Sequence, residues 1–328
     1  MTKPIAYLDQ NIISSLYKDP NSELKKEIEN KYRVIFSQEN LSEIESSGNR
    51  MEGFAKILQD FNPEYLMLKV NEGEGISDSA QLKPYPVLGC IESRRRSVPN
   101  YDSVILKMFQ PLLKALGGIE DKTFDEVYDE QKSVNQEKAK ILGADVDKEG
   151  NNQAEIEIKT RELLEKSNAN TEKSKAWVRE FLKENTEYSG IKSIQEKVNV
   201  SAKELNNIQP PRVIEKIWDR IEKSDYIKIK NISLDQFFGI GKNKKFTSGN
   251  IPTYYKICVL YIMLNAIGYN TDDNLLKNKR FTTSVRDAKH VANASFAHFL
   301  LSKDKKLIKK AKAIYEYLKI GTCAELIG

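Results

Sequence analysis

The sequence predicts an α/β fold with a central parallel sheet and a large, mainly α-helical insertion. Residues 1–50 alternate short apolar runs with helical stretches, as strand–helix–strand–helix units do. Residues 250–328 return to the same alternation. The long stretch between them is rich in Lys, Glu, Gln and Asn, with apolar residues at helical spacing. We therefore expect a discontinuous core of residues 1–60 and 250–328, interrupted by an insertion over residues 61–249.

The opening residues predict a βαβ unit. Residues 5–9 form a short apolar run that ends in an acid, and residues 12–17 have helical spacing. Residues 32–36 predict the second strand. Ser37 is a suitable N-cap for a helix that ends near Ser47, before Gly-Asn.

The C-terminal portion predicts the elements that complete the sheet. A strongly apolar helix is followed by a second helix, a short strand and a basic helix. Two further short strands are expected inside the insertion. In chain order, these expected elements are strands at 66–70 and 226–229, helices at 252–266 and 284–298, a strand at 299–302, a helix at 305–317 and an edge strand at 319–323.

Composition excludes several classes of protein. The 328 residues are 30% charged with a mean hydropathy of −0.55, and no stretch approaches the roughly 20 apolar residues that cross a bilayer. The start has no signal-peptide profile. The three cysteines, at 90, 258 and 323, are far apart and odd in number, and they suggest neither a disulfide framework nor a CxxC zinc site. We expect a cytoplasmic protein with no membrane partner.

Charge is unevenly distributed along the chain. The net charge is +5, but Ile240–Gly328 alone contains 16 Lys and Arg against 6 Asp and Glu. A basic region around a few isolated carboxylates suits an anionic partner such as nucleic acid. A solvated helix face would have the same composition, so charge alone does not decide between the two.

Four acids are expected to meet at one edge of the sheet. Ligands gather at the carboxyl ends of parallel strands, and Asp9 and Asp304 each follow a predicted strand. Asp287 is expected in the first turn of its helix, beside free N–H groups, and Glu43 in the helix after the second strand. Carboxylates from four separate elements suit Mg²⁺ or Mn²⁺, which prefer oxygen ligands and activate water near phosphate.

Each acid also has a purely structural interpretation. Asp9 and Asp304 are suitable helix caps, and Glu43 is suitable as a solvated side chain. Their joint arrangement, rather than any single residue, favours the functional interpretation.

Neighbouring polar residues are candidates for supporting roles. Asn11 is expected to orient Asp9, and Ser302 to hydrogen-bond Asp9 or Asp304. His290 is either a packed histidine or a partner for a carboxylate or a phosphate. The lysines at 303, 305, 306, 309, 310 and 312 are either phosphate contacts or solvated side chains. Of these, Lys303 and Lys305 lie nearest the fourth acid in sequence.

Four segments resemble the motifs of PIN-like nuclease domains, in that family's order. They are Tyr7–Asn11, Phe36–Ile44, Asp287–Ala294 and Phe299–Leu307. The second match is loose, so Glu39 or Glu45 remains an alternative to Glu43, and Gln10 stands where Thr is commoner.

The resemblance implies a three-layer fold with a central parallel sheet between helices. It also implies Mg²⁺- or Mn²⁺-dependent hydrolysis of RNA, or less often DNA, with Asp9, Glu43, Asp287 and Asp304 as metal ligands. Many proteins of this type are prokaryotic toxins or defence effectors. The resemblance does not extend to the helical insertion, which we expect to offer a surface for a second copy of the chain or a regulatory protein.

Three alternatives stay open. A haloacid-dehalogenase-like phosphatase would need a second Asp where this chain has Asn11. A catalytically inactive nucleic-acid-binding or scaffolding module would use the fold without the chemistry. A DNA-directed flap-type nuclease would share the acids but usually has more of them clustered.

Overall fold

The computed structural model describes residues 3–71, 75–97, 110–147, 153–184, 186–242 and 251–328. Contacts divide the chain into two compact units. The first comprises Met1–Ile91, Ile194–Asp273 and Thr283–Gly328, and the second comprises Glu92–Ser193 and Asn274–Thr282. Among the helices described, none is both long and apolar enough to span a membrane.

The first unit is built on a six-stranded, mostly parallel sheet, which confirms the predicted α/β class. The strand order is β4-β3-β2-β1-β5-β6, with only β4 antiparallel to its neighbour. The strands are β1 (Ile5–Leu8), β2 (Arg33–Phe36), β3 (Glu64–Asn71), β4 (Gly75–Pro84), β5 (Phe299–Ser302) and β6 (Cys323–Leu326).

Most of the described helices belong to this unit. Between β1 and β3 the chain forms four of them: α1 (Gln10–Lys18), α2 (Glu23–Lys31), α3 (Gln38–Ser46) and α4 (Met51–Gln59). After β4 come α5 (Val87–Ser97) and, in the second unit, α6 (Gln110–Ala115), α7 (Phe124–Asp147) and α8 (Gln153–Glu184). They are followed by α9 (Ile191–Val198), α10 (Ala202–Asn206), α11 (Val213–Ile221), α12 (Asp225–Lys230) and α13 (Leu234–Phe237). The last three are α14 (Thr253–Ile267), α15 (Asn278–Ala294) and α16 (Lys305–Tyr317).

Both faces of the sheet are apolar because its central strands are buried on both sides. Leu8, Phe36 and Leu301 belong to a core that also contains the buried side chains of α1, α3 and α4. The alternate residues Tyr7 and Leu300 point to the opposite face and are fully buried as well. On that face Tyr7 contacts α15, and α16 packs on β5 and β6. Short apolar runs without polar alternation are typical of such parallel strands.

The second unit contains a helical hairpin. Helices α7 and α8 run antiparallel, as shown by the pairing of Asp125 with Arg179 and of Asp129 with Lys175. Further along α7, Asn135 donates a hydrogen bond to Thr171 Oγ1 at 3.1 Å. The helical character predicted for this stretch is therefore present.

Two predicted boundaries of the α/β core are wrong. Its first segment does not end at residue 60, and its last segment does not begin at residue 250. The strand predicted at 66–70 lies within β3, so the sheet continues well past residue 60. The polar strand β4 joins it through antiparallel pairing, where main-chain hydrogen bonds replace apolar burial. Residues 194–242 also belong to the first unit, where α11 packs on α16.

The strand predicted at 226–229 is a helix. Ser224 caps α12 by accepting a hydrogen bond from the backbone N–H of Ile227, which starts a helical turn. Ile227 points inward, whereas Ile229 is 80% exposed. Alternation of apolar and polar residues over only four positions is therefore compatible with a strand or with a helix.

Candidate active site

Asp9 lies at the carboxyl end of β1 and is firmly held there. Its Oδ1 accepts a hydrogen bond from Gln10 N at 2.7 Å, so the predicted capping role is present. Its Oδ2 accepts from Asn11 Nδ2 at 2.6 Å and from Ser302 Oγ at 2.7 Å. Only 5% of Asp9 is exposed. The carboxylate is thus fixed by donors from both α1 and β5.

Asn11 and Ser302 connect the ends of these two strands. Asn11 Nδ2 donates to Ser302 Oγ at 3.0 Å, and Asn11 Oδ1 accepts from Lys303 N at 3.0 Å. Ser302 Oγ also accepts from Asp304 N at 2.9 Å. The expected contacts of both residues with Asp9 are therefore present, and they set the relative position of Asp9 and Asp304.

Asp304 caps α16, as its structural interpretation predicted. Its Oδ1 accepts from the backbone N–H groups of Lys306 and Leu307, at 2.7 and 3.0 Å. Among the described residues, none donates a hydrogen bond to its Oδ2. Capping therefore occupies one oxygen of Asp304 and leaves the other for a ligand.

His290 is fully buried between α3 and β1. Its Nε2 is 2.9 Å from Glu43 Oε2, and its Nδ1 is 2.6 Å from Tyr7 Oη. Burial lowers the pKa of His290, but the negative charge and hydrogen bond of Glu43, with the charges of Asp9 and Glu39, outweigh it and raise the pKa to about 9. The ring is therefore an imidazolium at neutral pH and donates to both partners.

The second acid has three candidates in α3, which their surroundings distinguish. Glu39 is buried in a separate pairing, 3.3 Å from Lys289 Nζ and hydrogen-bonded to Asn293. Burial raises the pKa of Glu39. The charges of Lys289 and His290 and the hydrogen bond from Asn293 together lower this pKa by more, so the net shift is downward. Glu43, in contrast, adds its charge to the surroundings of Asp9 and Asp287. These charges favour Glu43 over Glu39, and Glu45 stays an alternative.

Asp287 lies in the third turn of its helix and not in the first, so its predicted closeness to free backbone N–H groups is wrong. The helix α15 begins at Asn278. Ser284, which resembles an N-cap in sequence, instead uses its hydroxyl to donate to Asp272 Oδ2 at 2.7 Å. Ser284 does not cap a helix because its hydroxyl forms this hydrogen bond to Asp272 instead.

Asp287 is the least satisfied of the four acids. Burial raises its pKa well above the usual value, and the charges of Asp9, Asp272 and Glu43 raise it further, while His290 lowers it. No described residue donates a hydrogen bond to its carboxylate or forms an ion pair with it. Asp9 is affected similarly: burial and Glu43 raise its pKa, against the lowering effect of His290 and two hydrogen bonds. Carboxylates in this situation require a proton or a cation.

Sequence reasoning missed a second polar group beside these acids. Asp272, Asn265, Ser284 and Lys310 form a buried hydrogen-bonded network. Lys310 is 0% exposed and is neither a phosphate contact nor a solvated side chain. A signal did exist: Lys310 falls on the apolar stripe of α16, one turn after Leu307 and one turn before Ile314.

The lysines on either side of Asp304 differ in their surroundings. Lys305 is exposed, and Lys303 is exposed with its Nζ 2.8 Å from Ser15 Oγ. Lys306 is tied to Asp273 at 2.6 Å. Lys303 and Lys305 therefore stay candidates for phosphate contacts next to Asp304.

The acids fit a hard divalent cation by chemistry, although they are not arranged around one. Within the described residues, no three His, Cys, Asp or Glu side chains form a group that would hold an ion directly. Asp9, Glu43 and Asp304 are each held by a protein donor. Mg²⁺ and Mn²⁺ suit such a site because they retain several waters and need few protein ligands.

Comparison with known proteins adds no relative. No protein-family model matches the chain, and no curated protein or solved structure matches it significantly.

Proposed function

We propose that this protein is a metal-dependent nuclease of the PIN-like type, most suited to endonucleolytic cleavage of RNA. The observation that carries the proposal is Asp287, to whose carboxylate no described residue donates a hydrogen bond, and whose pKa is raised by burial and by the charges of Asp9, Asp272 and Glu43. Asp304 completes the group from the adjacent strand end. Asp9 and Asp304 at the carboxyl ends of adjacent parallel strands, together with Glu43, whose charge acts on both Asp9 and Asp287, support a site for Mg²⁺ or Mn²⁺.

In this proposal Asp9, Glu43, Asp287 and Asp304 hold the cation. When bound, Mg²⁺ or Mn²⁺ lowers the pKa of a coordinated water and neutralises charge on the scissile phosphate. Ser302 and Asn11 hold Asp9 in place, and the imidazolium of His290 orients Glu43.

Lys303 and Lys305 are the proposed contacts to the substrate. Both are exposed and immediately flank Asp304. Ammonium groups there would bind phosphates without reading base sequence. The basic C-terminal portion of the chain supports an anionic polymer as substrate. The resemblance of the four segments to the motifs of PIN-like nucleases favours RNA over DNA as the substrate.

A matched pair of variants tests the proposal. Purified protein is incubated with labelled RNA or single-stranded DNA in Mn²⁺, in Mg²⁺ and in EDTA. Asp287→Asn keeps the shape of the side chain but removes its charge, and we expect it to lower the cleavage rate at least about 100-fold. Asp219→Asn, at an exposed carboxylate on α11, is the control and should cleave at the wild-type rate.

The outcomes distinguish the remaining alternatives. Cleavage that persists in EDTA would refute the metal mechanism. Cleavage of DNA but not RNA would favour the flap-type nuclease. Binding without cleavage, unchanged in Asp287→Asn, would favour the inactive binding or scaffolding module. Asp9 and Asp304 both cap helices, and this structural role would be the same in an inactive binding or scaffolding module.

A further inference from the structure

A buried chain of hydrogen bonds leads from the start of α3 to Glu43. Tyr7 Oη lies 2.7 Å from Ser37 Oγ and 2.6 Å from His290 Nδ1. His290 Nε2 in turn lies 2.9 Å from Glu43 Oε2. Tyr7, Ser37 and His290 are buried, whereas the side chain of Glu43 is 16% exposed. The chain therefore begins in the core and ends at a carboxylate that solvent reaches.

Tyr7 joins two helices from its place in β1. Ser37 is the N-cap of α3 and Glu43 lies in the second turn of the same helix, so the Tyr7–His290 pair holds α3 at two points. His290 belongs to α15. Asn40 Nδ2 donates to a main-chain carbonyl oxygen of β1 at 3.0 Å and ties the same end of α3 to the sheet. The helix that supplies Glu43 is therefore set in place from β1.

The position of Tyr7 requires a hydroxyl, because the group there must accept and donate at once. The imidazolium of His290 donates through Nδ1, so Tyr7 Oη accepts there and donates its own proton to Ser37 Oγ. Without the hydroxyl, Nδ1 of His290 would be a buried donor that has lost its partner, which is unfavourable. The ring would then lack the contact that holds its other nitrogen toward Glu43.

Glu43 keeps one oxygen for a ligand. Its Oε2 contacts His290, and no described residue donates a hydrogen bond to its Oε1. The contact at Oε2 therefore decides where Oε1 points.

We propose that Tyr7 is a positioning residue of the candidate site, whose hydroxyl fixes the ring of His290 and through it the direction of the Glu43 carboxylate. This rests on the proposed function, in which Glu43 takes part in the reaction. Tyr7 is fully buried, so its hydroxyl acts only through these neighbours. Its loss should therefore slow the cleavage step and leave the binding of nucleic acid almost unchanged.

A matched pair of phenylalanine variants tests the proposal. Tyr7→Phe removes the hydroxyl and keeps the ring, and we expect kcat for RNA cleavage to fall about 10–100-fold with little change in KM, as is usual when a partner behind a functional side chain is lost. Tyr315→Phe is the control, because the buried Tyr315 hydroxyl donates to the carbonyl oxygen of Val291, on the same helix as His290, at 2.6 Å. It should cleave at the wild-type rate. A folded Tyr7→Phe with wild-type kcat would overturn the inference and leave the proposed nuclease intact.

A double-variant cycle shows whether Tyr7 acts through His290. In the His290→Gln background, Tyr7→Phe should lower kcat far less than in the wild type, since the effects of residues in one hydrogen-bonded network are not additive. An equal loss in both backgrounds would show that Tyr7 only supports the fold, and the inference would be wrong.

A spectroscopic test is independent of activity. The chain has two histidines, so nuclear magnetic resonance of isotope-labelled histidine gives few signals, and His290→Gln identifies those of His290. Tyr7→Phe should shift the ring-nitrogen signals of His290, whereas Tyr315→Phe should leave them in place. Unchanged signals in a folded Tyr7→Phe would overturn the contact itself. A wild type that cleaves no nucleic acid would instead overturn the proposed function, and the role of Tyr7 in cleavage with it.

The wild type decides the question if circular dichroism shows that Tyr7→Phe does not fold. The ring centroids of Tyr7 and His290 are 5.7 Å apart. Their ring protons should therefore show a nuclear Overhauser effect in protein labelled at tyrosine and histidine. Absence of this effect would overturn the inference.

Discussion

Replacement of His290 by Gln should make the stability of the metal-free protein depend less on pH. The imidazolium is fully buried and donates to Glu43 and Tyr7. Glutamine can keep one of these hydrogen bonds but carries no charge. A pKa of about 9 in the folded chain, against about 6.5 in the unfolded chain, corresponds to about 3 kcal/mol of stability.

The sign of the effect follows from the raised pKa. The contribution of His290 is fully present below about pH 6.5 and is lost as the pH rises through about 9. The free energy of unfolding of wild type and His290→Gln, measured by urea denaturation in EDTA, should therefore differ more at about pH 6 than at about pH 10 by up to about 3 kcal/mol.

The control uses the other histidine of the chain. His298 is exposed and accepts a hydrogen bond from Ile5 N at 3.0 Å. His298→Gln shows what loss of an imidazole as such does to the unfolding curve. A constant difference between wild type and His290→Gln across the whole pH range would refute the reasoning, because the buried imidazolium would then contribute nothing through its charge.

Three further predictions concern individual contacts. Ser302→Ala removes the hydroxyl that joins Asp9, Asn11 and Asp304 and should lower the free energy of unfolding by about 1–3 kcal/mol, measured by denaturation; a change near zero would show that water replaces it. Lys305→Ala should remove about one phosphate contact and so reduce the slope of the logarithm of the RNA-binding constant against the logarithm of the salt concentration. Fluorescence anisotropy at several salt concentrations measures this slope, and an unchanged slope would contradict the contact. Phe36→Ala empties a fully buried site in β2 and should cost about 3–5 kcal/mol, whereas Tyr85→Ala, at a side chain 44% exposed, should cost well under 1 kcal/mol by the same assay.

Local sequence predicted the central strands because their burial leaves a simple pattern. Residues 299–302 and 305–317 match β5 and α16, since an apolar run, an Asp cap and an amphipathic helix follow one another there. The edge strand β4 had no such pattern because half of its ten residues are polar and its side chains are partly exposed. It is held by pairing with β3, which local sequence does not encode.

The candidate site was predictable in part for a similar reason. Asp9 and Asp304 were identified because the end of a parallel strand is recognisable in sequence. Asp272 follows no strand, and its role depends on Lys310, a residue 38 positions away. Such a pair becomes visible only when α14, α15 and α16 are packed together. The helix that holds Asp287 begins at Asn278, six residues before the predicted start, and Ser284 bonds to Asp272 and does not cap a helix.

The order of pairing in the sheet has a consequence for synthesis of the protein. Strand β1 lies between β2 and β5, and its register joins Ala6 to Phe299. Asp9 on a ribosome-bound chain therefore lacks its Ser302 donor and its neighbour Asp304 until almost 300 further residues have been translated. Contacts so distant in sequence form late in folding. A growing polypeptide consequently carries no assembled acid cluster, and whatever chemistry the cluster performs begins only after translation has passed residue 304.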